Sequence, residues 1–268
     1  MTARSGHFHA SFRFSMGYEK PHAMNPILIT VLLTVAAPVQ DDASLYRVTL
    51  IRAAPGRLLD VIDAYRERMP VYDAAGNARP AIIRHSQGDH WDLMLIFPVG
   101  SMSEYYAADR VAQRVRVGES AGMSEHQFEE RLQESVAWRE DTFFNGVPAA
   151  EFQRGYDNAG YFHIEMFVAL PGEADGLLNE RVMENDYLRR IGRPQNLIFT
   201  KTLGGSWDSF TLGFYRDLKH YAESVDIPVE LREEAALAAG FEGAGRIGTY
   251  LRRFLARHND TLGTKAIP

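Results

Sequence analysis

The chain repeats itself once, and that repeat limits its fold more than any composition figure does. Trp207-Asp208 lies 116 positions after Trp91-Asp92, and at the same shift Tyr221 falls on Tyr105, Gly204 on Gly88 and Ile198 on Ile82. Upstream, FHIEMFVALPG (Phe162 to Gly172) falls on YRVTLIRAAPG (Tyr46 to Gly56), and no gap is needed from Tyr46 to Tyr105. Farther on, the second copy carries three extra loop residues, and the shift becomes 119. FEERLQESVAWREDT (Phe128 to Thr142) then meets IGTYLRRFLARHNDT (Ile247 to Thr261). The identities cluster at turn glycines, a proline and the Trp-Asp pair, where backbone geometry selects the residue. Two copies predict a tandem pair of domains rather than a solenoid.

Each copy reads in the same order. SLYRVTLIRAA sets Tyr46, Val48 and Leu50 against Arg47, Thr49 and Ile51, the period of two of a strand. RLLDVIDAYRERM spaces Leu58, Leu59, Ile62 and Tyr65 as a helix. PAIIRHSQ and WDLMLIFPV flank the turn at Gly88-Asp89 as a hairpin. A capping serine opens the helix of SMSEYYAADRVAQRV, and a further amphipathic helix is expected over Ser124 to Arg139. In the second copy YFHIEMFVAL is a strand, and the helix of EADGLLNERVMENDYLRRI stops at Gly192 and Pro194. NLIFTKTL and WDSFTLGFY form a hairpin, and helices follow from Asp217, about Pro228 and about Ala244. In the last of these, Ile247, Tyr250, Leu251, Phe254, Leu255 and His258 carry the spacing of a buried helical face. NGVPAAEFQRGYDNAG reads as the connector. The division is a first unit at 45–145, a linker at 146–160 and a second unit at 161–264.

Strand, helix, hairpin and helix make a βαββα unit, an α+β sandwich with helices on one face of an antiparallel sheet. On this element order, and on the ALPG and WD landmarks, the chain resembles the ferredoxin-like dimeric α/β-barrel superfamily. Antibiotic-biosynthesis-type monooxygenases and NIPSNAP proteins belong to that superfamily. The resemblance implies two ferredoxin-like units, βαββα plus extra helices, that pack sheet to sheet as an α/β barrel within one chain. The superfamily's fourth strand has no counterpart in this reading, and helices stand in its place.

A net charge of −6 argues against a protein that grips nucleic acid through its phosphates. Cysteine is absent, which removes disulfides, thiolate nucleophiles and Cys-ligated metals. The apolar run from Pro26 to Ala37 is too short to span a bilayer and fits the core of a secretory signal peptide. Arg4, Arg13 and Lys20 precede it, and Thr34 and Ala36 supply small residues for cleavage. The expectation is a periplasmic or secreted protein that loses residues 1–37 near Ala36 and keeps no membrane span.

On the strand Tyr161 to Leu170, Phe162, Ile164 and Met166 share one face, expected to pack on the helices. The other face carries His163 and Glu165 and is expected to point into the lumen with Trp207, Ser209, Thr211 and Tyr215. Matching first-half positions are Arg47, Thr49, Trp91, Leu93, Leu95 and Val99. The candidate ligand-binding set is therefore His163, Glu165, Trp207, Ser209, Thr211, Tyr215, Arg47, Thr49 and Trp91. His163 beside Glu165 has three readings: a hydrogen-bonded pair that settles the interior or a solvated sheet face, a ligand contact, or a base with its orienting carboxylate or half a metal site. No second His/Asp/Glu cluster accompanies the pair, so the reading requires no metal and no cofactor.

Arg189, Arg190 and Arg193 suit a carboxylate or phosphate, or equally the helix dipole. His220 is a candidate haem ligand only through the resemblance, since duplicated ferredoxin-like folds occur in the chlorite dismutase and coprohaem decarboxylase family. No motif of that family is matched. Three functions follow: an exported protein that binds a small molecule in the lumen, a cofactor-independent monooxygenase-like enzyme that uses His163 and Glu165, or a structural or interaction module with a filled barrel. An open, polar lumen favours the first two and a packed lumen the third.

Overall fold

The computed structural model describes residues 43–267, so the expected signal peptide lies outside the described residues. The first half runs β1 (Ser44–Ala53), α1 (Leu58–Ala74), β2 (Ala81–Gln87), β3 (Leu93–Gly100), α2 (Met102–Tyr105), α3 (Ala108–Ser120), α4 (Glu125–Gln133) and β4 (Val136–Gly146). Helix α5 (Ala149–Asn158) follows. The second half runs β5 (Tyr161–Ala169), α6 (Ala174–Arg190), β6 (Leu197–Gly204), β7 (Ser209–Tyr215), α7 (Leu218–Ala222), α8 (Val229–Ala238), α9 (Ile247–Leu251) and β8 (Leu255–Lys265).

Among the described residues, eight strands pair antiparallel and close into one barrel in the order β1-β3-β2-β8-β5-β7-β6-β4. Strand β1 lies between β3 and β4, and β5 lies between β7 and β8 in the same way. The two halves meet along β2–β8 and β4–β6, four registered pairs each, against ten along β1–β4.

Strands β4 and β8 correct the expectation of helices in their place. The helix expected to reach Arg139 stops at Gln133, and the one expected to pass His258 is a short piece ending at Leu251. Leu251 and Leu255, four apart, satisfy a helical period locally. The open backbone edges of β1 and β5 then take up the following residues, and ladder pairing outweighs local preference.

The face assignment is also reversed. Tyr46, Val48 and Leu50 of β1 meet Phe162, Ile164 and Met166 of β5 inside the ring, together with Phe144, Phe199, Phe210 and Leu212. Tyr46 stands edge-on to Phe199 at 5.2 Å and Phe144 to Phe210 at 4.9 Å, while Phe199 and Phe210 stack at 4.3 Å. These rings come from both halves, and they fill the space in which a ligand was expected. The expected connector contributes to the filling. Phe152 of α5 is fully buried and lies 5.3 Å from Tyr46 and 6.2 Å from Phe214. Outside the ring, Ile51, Leu93 and Leu95 pack on Val61, Ile62 and Tyr65 of α1 and on Phe128 and Leu132 of α4.

The repeated landmarks have repeated backbone roles. The Asp92 carboxylate accepts from Ala53 N at 2.8 Å, and that of Asp208 accepts from Ala169 N at 3.0 Å. Gly88 and Gly204 have φ of 118° and 86°. A Cβ at Gly88 would stand 2.0 Å from the Asp260 carbonyl oxygen, and one at Gly204 would stand 2.8 Å from that of Asp141. Each hairpin tip thus closes against the last strand of the other half, at a distance and a φ that select glycine.

Candidate functional site

Because the interior is apolar, the polar faces of β5 and β1 turn outward, under the helices. On β5 this places His163 and Glu165 beside β8, where Glu165 pairs with Asp260 and Phe167 with His258. His163 Nε2 lies 3.0 Å from Asp260 Oδ1, so its partner is Asp260 and not Glu165. Glu165 Oε2 accepts from Arg181 Nη1 at 3.0 Å and from Thr211 Oγ1 at 3.2 Å. Its Oε1 lies 3.4 Å from His258 Nε2, which is 3.8 Å from Asp260 Oδ2. The His258 ring stacks on Phe167 at 4.9 Å and 2°.

Helix α6 covers this group with charged residues at positions one turn apart, which share a helical face. Arg181 binds Glu180 through Nε at 2.6 Å and also pairs with Glu184. Burial alone would raise the Glu165 carboxyl, but His258, Arg181 and His163 bring it down to about 2. Burial and the neighbouring Glu165 push Glu184 up to about 7 against the pull of Arg181. Burial likewise raises Glu180. At His163 burial opposes the charged form, but Asp260 and Glu165 outweigh it and raise the imidazole.

The equivalent place in the first half has different chemistry. Arg47 replaces His163, Thr49 replaces Glu165, and Asp141 and Arg139 stand opposite on β4 at the positions of Asp260 and His258. Thr49 Oγ1 donates to Asp141 Oδ1 at 2.5 Å, and Arg139 Nε to Asp141 Oδ2 at 2.9 Å. Beside Arg47 opens a cavity of about 250 Å³ lined by Arg68, Tyr72, Asn77, Tyr105 and Arg114, among others. The Arg47 guanidinium lies 4.3 Å over Phe97 and that of Arg114 lies 4.2 Å over Tyr105. Arg68 pairs with Glu125. Arg47 Nε and Arg114 Nη1 are buried and meet no hydrogen-bond partner among the described residues. Burial pushes the Tyr72 hydroxyl up to about 12.

The remaining sequence candidates disperse. Trp91 and Trp207 belong to the interior cluster, with Arg257 lying 3.9 Å over the Trp207 ring. Leu93, Leu95 and Val99 face the helices instead of the lumen. Ser209 and Thr211 lie beside Phe167 and Glu165 on the outer side, and Tyr215 packs against Tyr221 at 5.1 Å. Arg189 and Arg190 pair with Asp186, while Arg193 binds the Tyr221 carbonyl at 3.2 Å and Glu223. His220 Nδ1 accepts from Arg216 N at 3.1 Å, which makes it part of a turn. The sequence does not bring Asp260 and His258 to the site, because its helical spacing runs through His258 and hides the strand Leu255–Lys265 that carries both. It also leaves Arg181, Glu180 and Glu184 unmarked, although a signal exists. At a shift of 116, the face Val61, Ala64, Tyr65, Arg68 of α1 becomes Leu177, Glu180, Arg181, Glu184 in α6.

Among solved structures, an anthrone oxidase-like protein is similar, with a TM-score of 0.53 at 10% identity over 85% of this chain and 93% of that one. A heme-binding protein from Thermus thermophilus gives 0.41 at 11% identity, over 83% and 91%. Chlorite dismutase from Candidatus Nitrospira defluvii in complex with imidazole gives 0.41 at 12%, over 84% and 92%. The first likeness shows the fold alone. No family model and no curated protein matches the sequence.

Proposed function

We propose that this chain is an exported tandem pair of ferredoxin-like units whose first half binds a small organic anion beside β1. The observation that carries the reading is the pair of buried guanidinium nitrogens, Arg47 Nε and Arg114 Nη1, that face no acceptor among the described residues. A buried donor without a partner costs about 1–3 kcal/mol, more when it is charged. A carboxylate or phosphate matches the fork of a guanidinium and offsets that cost. The cavity of about 250 Å³ falls below the roughly 300–1,000 Å³ of sites for drug-sized ligands. It therefore suits one ring bearing an acid group, held between Tyr72 and Tyr105. Binding fits these residues better than turnover, because arginine keeps its proton near neutral pH and Tyr72 holds its own to about 12.

The duplication is supported by the matched strand pairings and by the matched Asp92/Asp208 and Gly88/Gly204 contacts. Export is supported by the apolar run at Pro26 to Ala37 with its upstream cations. Amino-terminal sequencing of exported material tests it, and an intact Met1 or Met24 on the mature protein rejects it. Calorimetric titration with benzoate and phenyl phosphate tests the site, with benzamide as the neutral control. The anions bind, and Arg47→Ala and Arg114→Gln each weaken them at least tenfold. Equal binding of benzamide, or unchanged affinity in both variants, rejects the anion site.

A further inference from the structure

We propose that His163, Glu165 and Asp260, on the second half's outer sheet face, form a binding site for a divalent transition-metal cation, with His258 beside it. One donor atom from each of the three lies within 4.8 Å of the others, and His163 Nε2 and Asp260 Oδ1 are 3.0 Å apart. Imidazole and carboxylate donors hold such ions at about 2.0–2.2 Å, which sets neighbouring donors roughly 3–3.6 Å apart. Small side-chain rotations on two hydrogen-bonded strands are enough to close the group on one ion.

The surroundings are built for this. Glu165 Oε2 is already held by Arg181 and Thr211, which leaves Oε1 as the ligand atom and fixes its direction. His258 Nε2 is buried without a hydrogen-bond partner among the described residues, 3.4 Å from that oxygen. It can receive a bond from an ion-bound water or move in as a further ligand.

The charge points the same way. Glu165, Glu180, Glu184 and Asp260 oppose Arg181 alone within the ion-paired group, and Glu180 Oε1 is buried with no partner among the described residues. Carboxyl groups outnumber guanidinium groups here four to one, and a dication supplies positive charge beside Glu165 and Asp260. At the matching place in the first half, Arg139 neutralises Asp141 and Arg47 stands where His163 would be. One half of the duplicated frame is therefore suited to an anion and the other to a cation. Asp260 is 60% exposed and gives the ion a path in. Mixed imidazole and carboxylate donors favour Zn²⁺ or Mn²⁺ over Ca²⁺ and Mg²⁺.

The test uses the full chain stripped with EDTA and titrated calorimetrically with Zn²⁺, Mn²⁺ and Ca²⁺. One equivalent of Zn²⁺ or Mn²⁺ binds, and Ca²⁺ binds at least tenfold more weakly. His163→Ala and Asp260→Asn each weaken uptake at least tenfold, while His126→Ala, on an exposed helix, leaves it unchanged. Circular dichroism reports the fold of each variant, and Asp260→Asn changes an exposed side chain that the core does not need. No uptake of Zn²⁺ or Mn²⁺ at millimolar concentration overturns the proposal, as does unchanged uptake in folded Asp260→Asn and His163→Ala. The outcome is independent of the anion cavity, which shares none of these residues.

Discussion

Glu165 and Glu184 titrate at opposite ends of the acid range although both contact Arg181. Glu165 stays charged down to about 2 because His258, Arg181 and His163 surround it, whereas Glu184 holds its proton to about 7 because burial and Glu165 oppose its charge. The consequence for stability has a definite sign. Between the ordinary value of 4.5 and about 7, native Glu184 keeps a proton that the unfolded chain has released. Stability therefore falls as pH rises through that window. His163, raised above 6.5, contributes stability below that value that is lost as pH rises through its folded pKa, so it acts in the same direction. Glu165 acts oppositely, but only below 4.5. The metal-free protein should melt at a lower temperature at pH 8 than at pH 5.5, and Glu184→Gln should flatten the decline. Melting curves across that range check both, and an unchanged slope in the variant would refute the assignment.

Two hairpins of the same shape do the closing of the barrel. The tips of β2–β3 and β6–β7 reach across to β8 and β4, and only a residue without a Cβ fits at Gly88 and Gly204. Alanine at either position takes on both a left-handed φ and a backbone clash, for about 1–3 kcal/mol each. Gly88→Ala should cost more, since its Cβ would meet the Asp260 carbonyl at 2.0 Å. Urea titration of the two variants gives the comparison, and equal stability to the parent at both positions would contradict the seam geometry. Helices α1 and α6 share this equivalence of place with different content. One lays Val61, Ala64 and Tyr65 on its sheet, and the other lays Leu177, Glu180 and Arg181.

Neither half encloses its own interior. Cutting the chain between α5 and β5 exposes Phe144 and Phe199 on the inner faces and unpairs both short seams, β2–β8 and β4–β6. Unpaired strand edges beside a bare apolar face promote association. Residues 43–160 expressed alone should run as a dimer or larger species, with two copies standing in for the two halves. Sedimentation velocity distinguishes the cases, and a stable, soluble monomer would show that the interior does not depend on the second half.

The order of six of the eight described strands and the repeated landmarks at Gly88, Asp92 and their partners Gly204 and Asp208 were legible along the chain. Each depends on local backbone geometry or on short-range periodicity. The fourth strand of each half was not legible, because its pairing partner lies some ninety residues away and its apolar spacing suits a helix equally well. Nor could alternation tell inside from outside. Strands β1 and β5 are largely buried on both faces, so period two separates two sets of residues without saying which set meets the other half and which meets a helix. Packing made that choice: ten or more apolar side chains from both halves fill the ring, while His163 and Glu165 lie where α6 and β8 bring Arg181, His258 and Asp260. Buried charge is tolerated only beside counter-charge, and only the folded chain brings the two together.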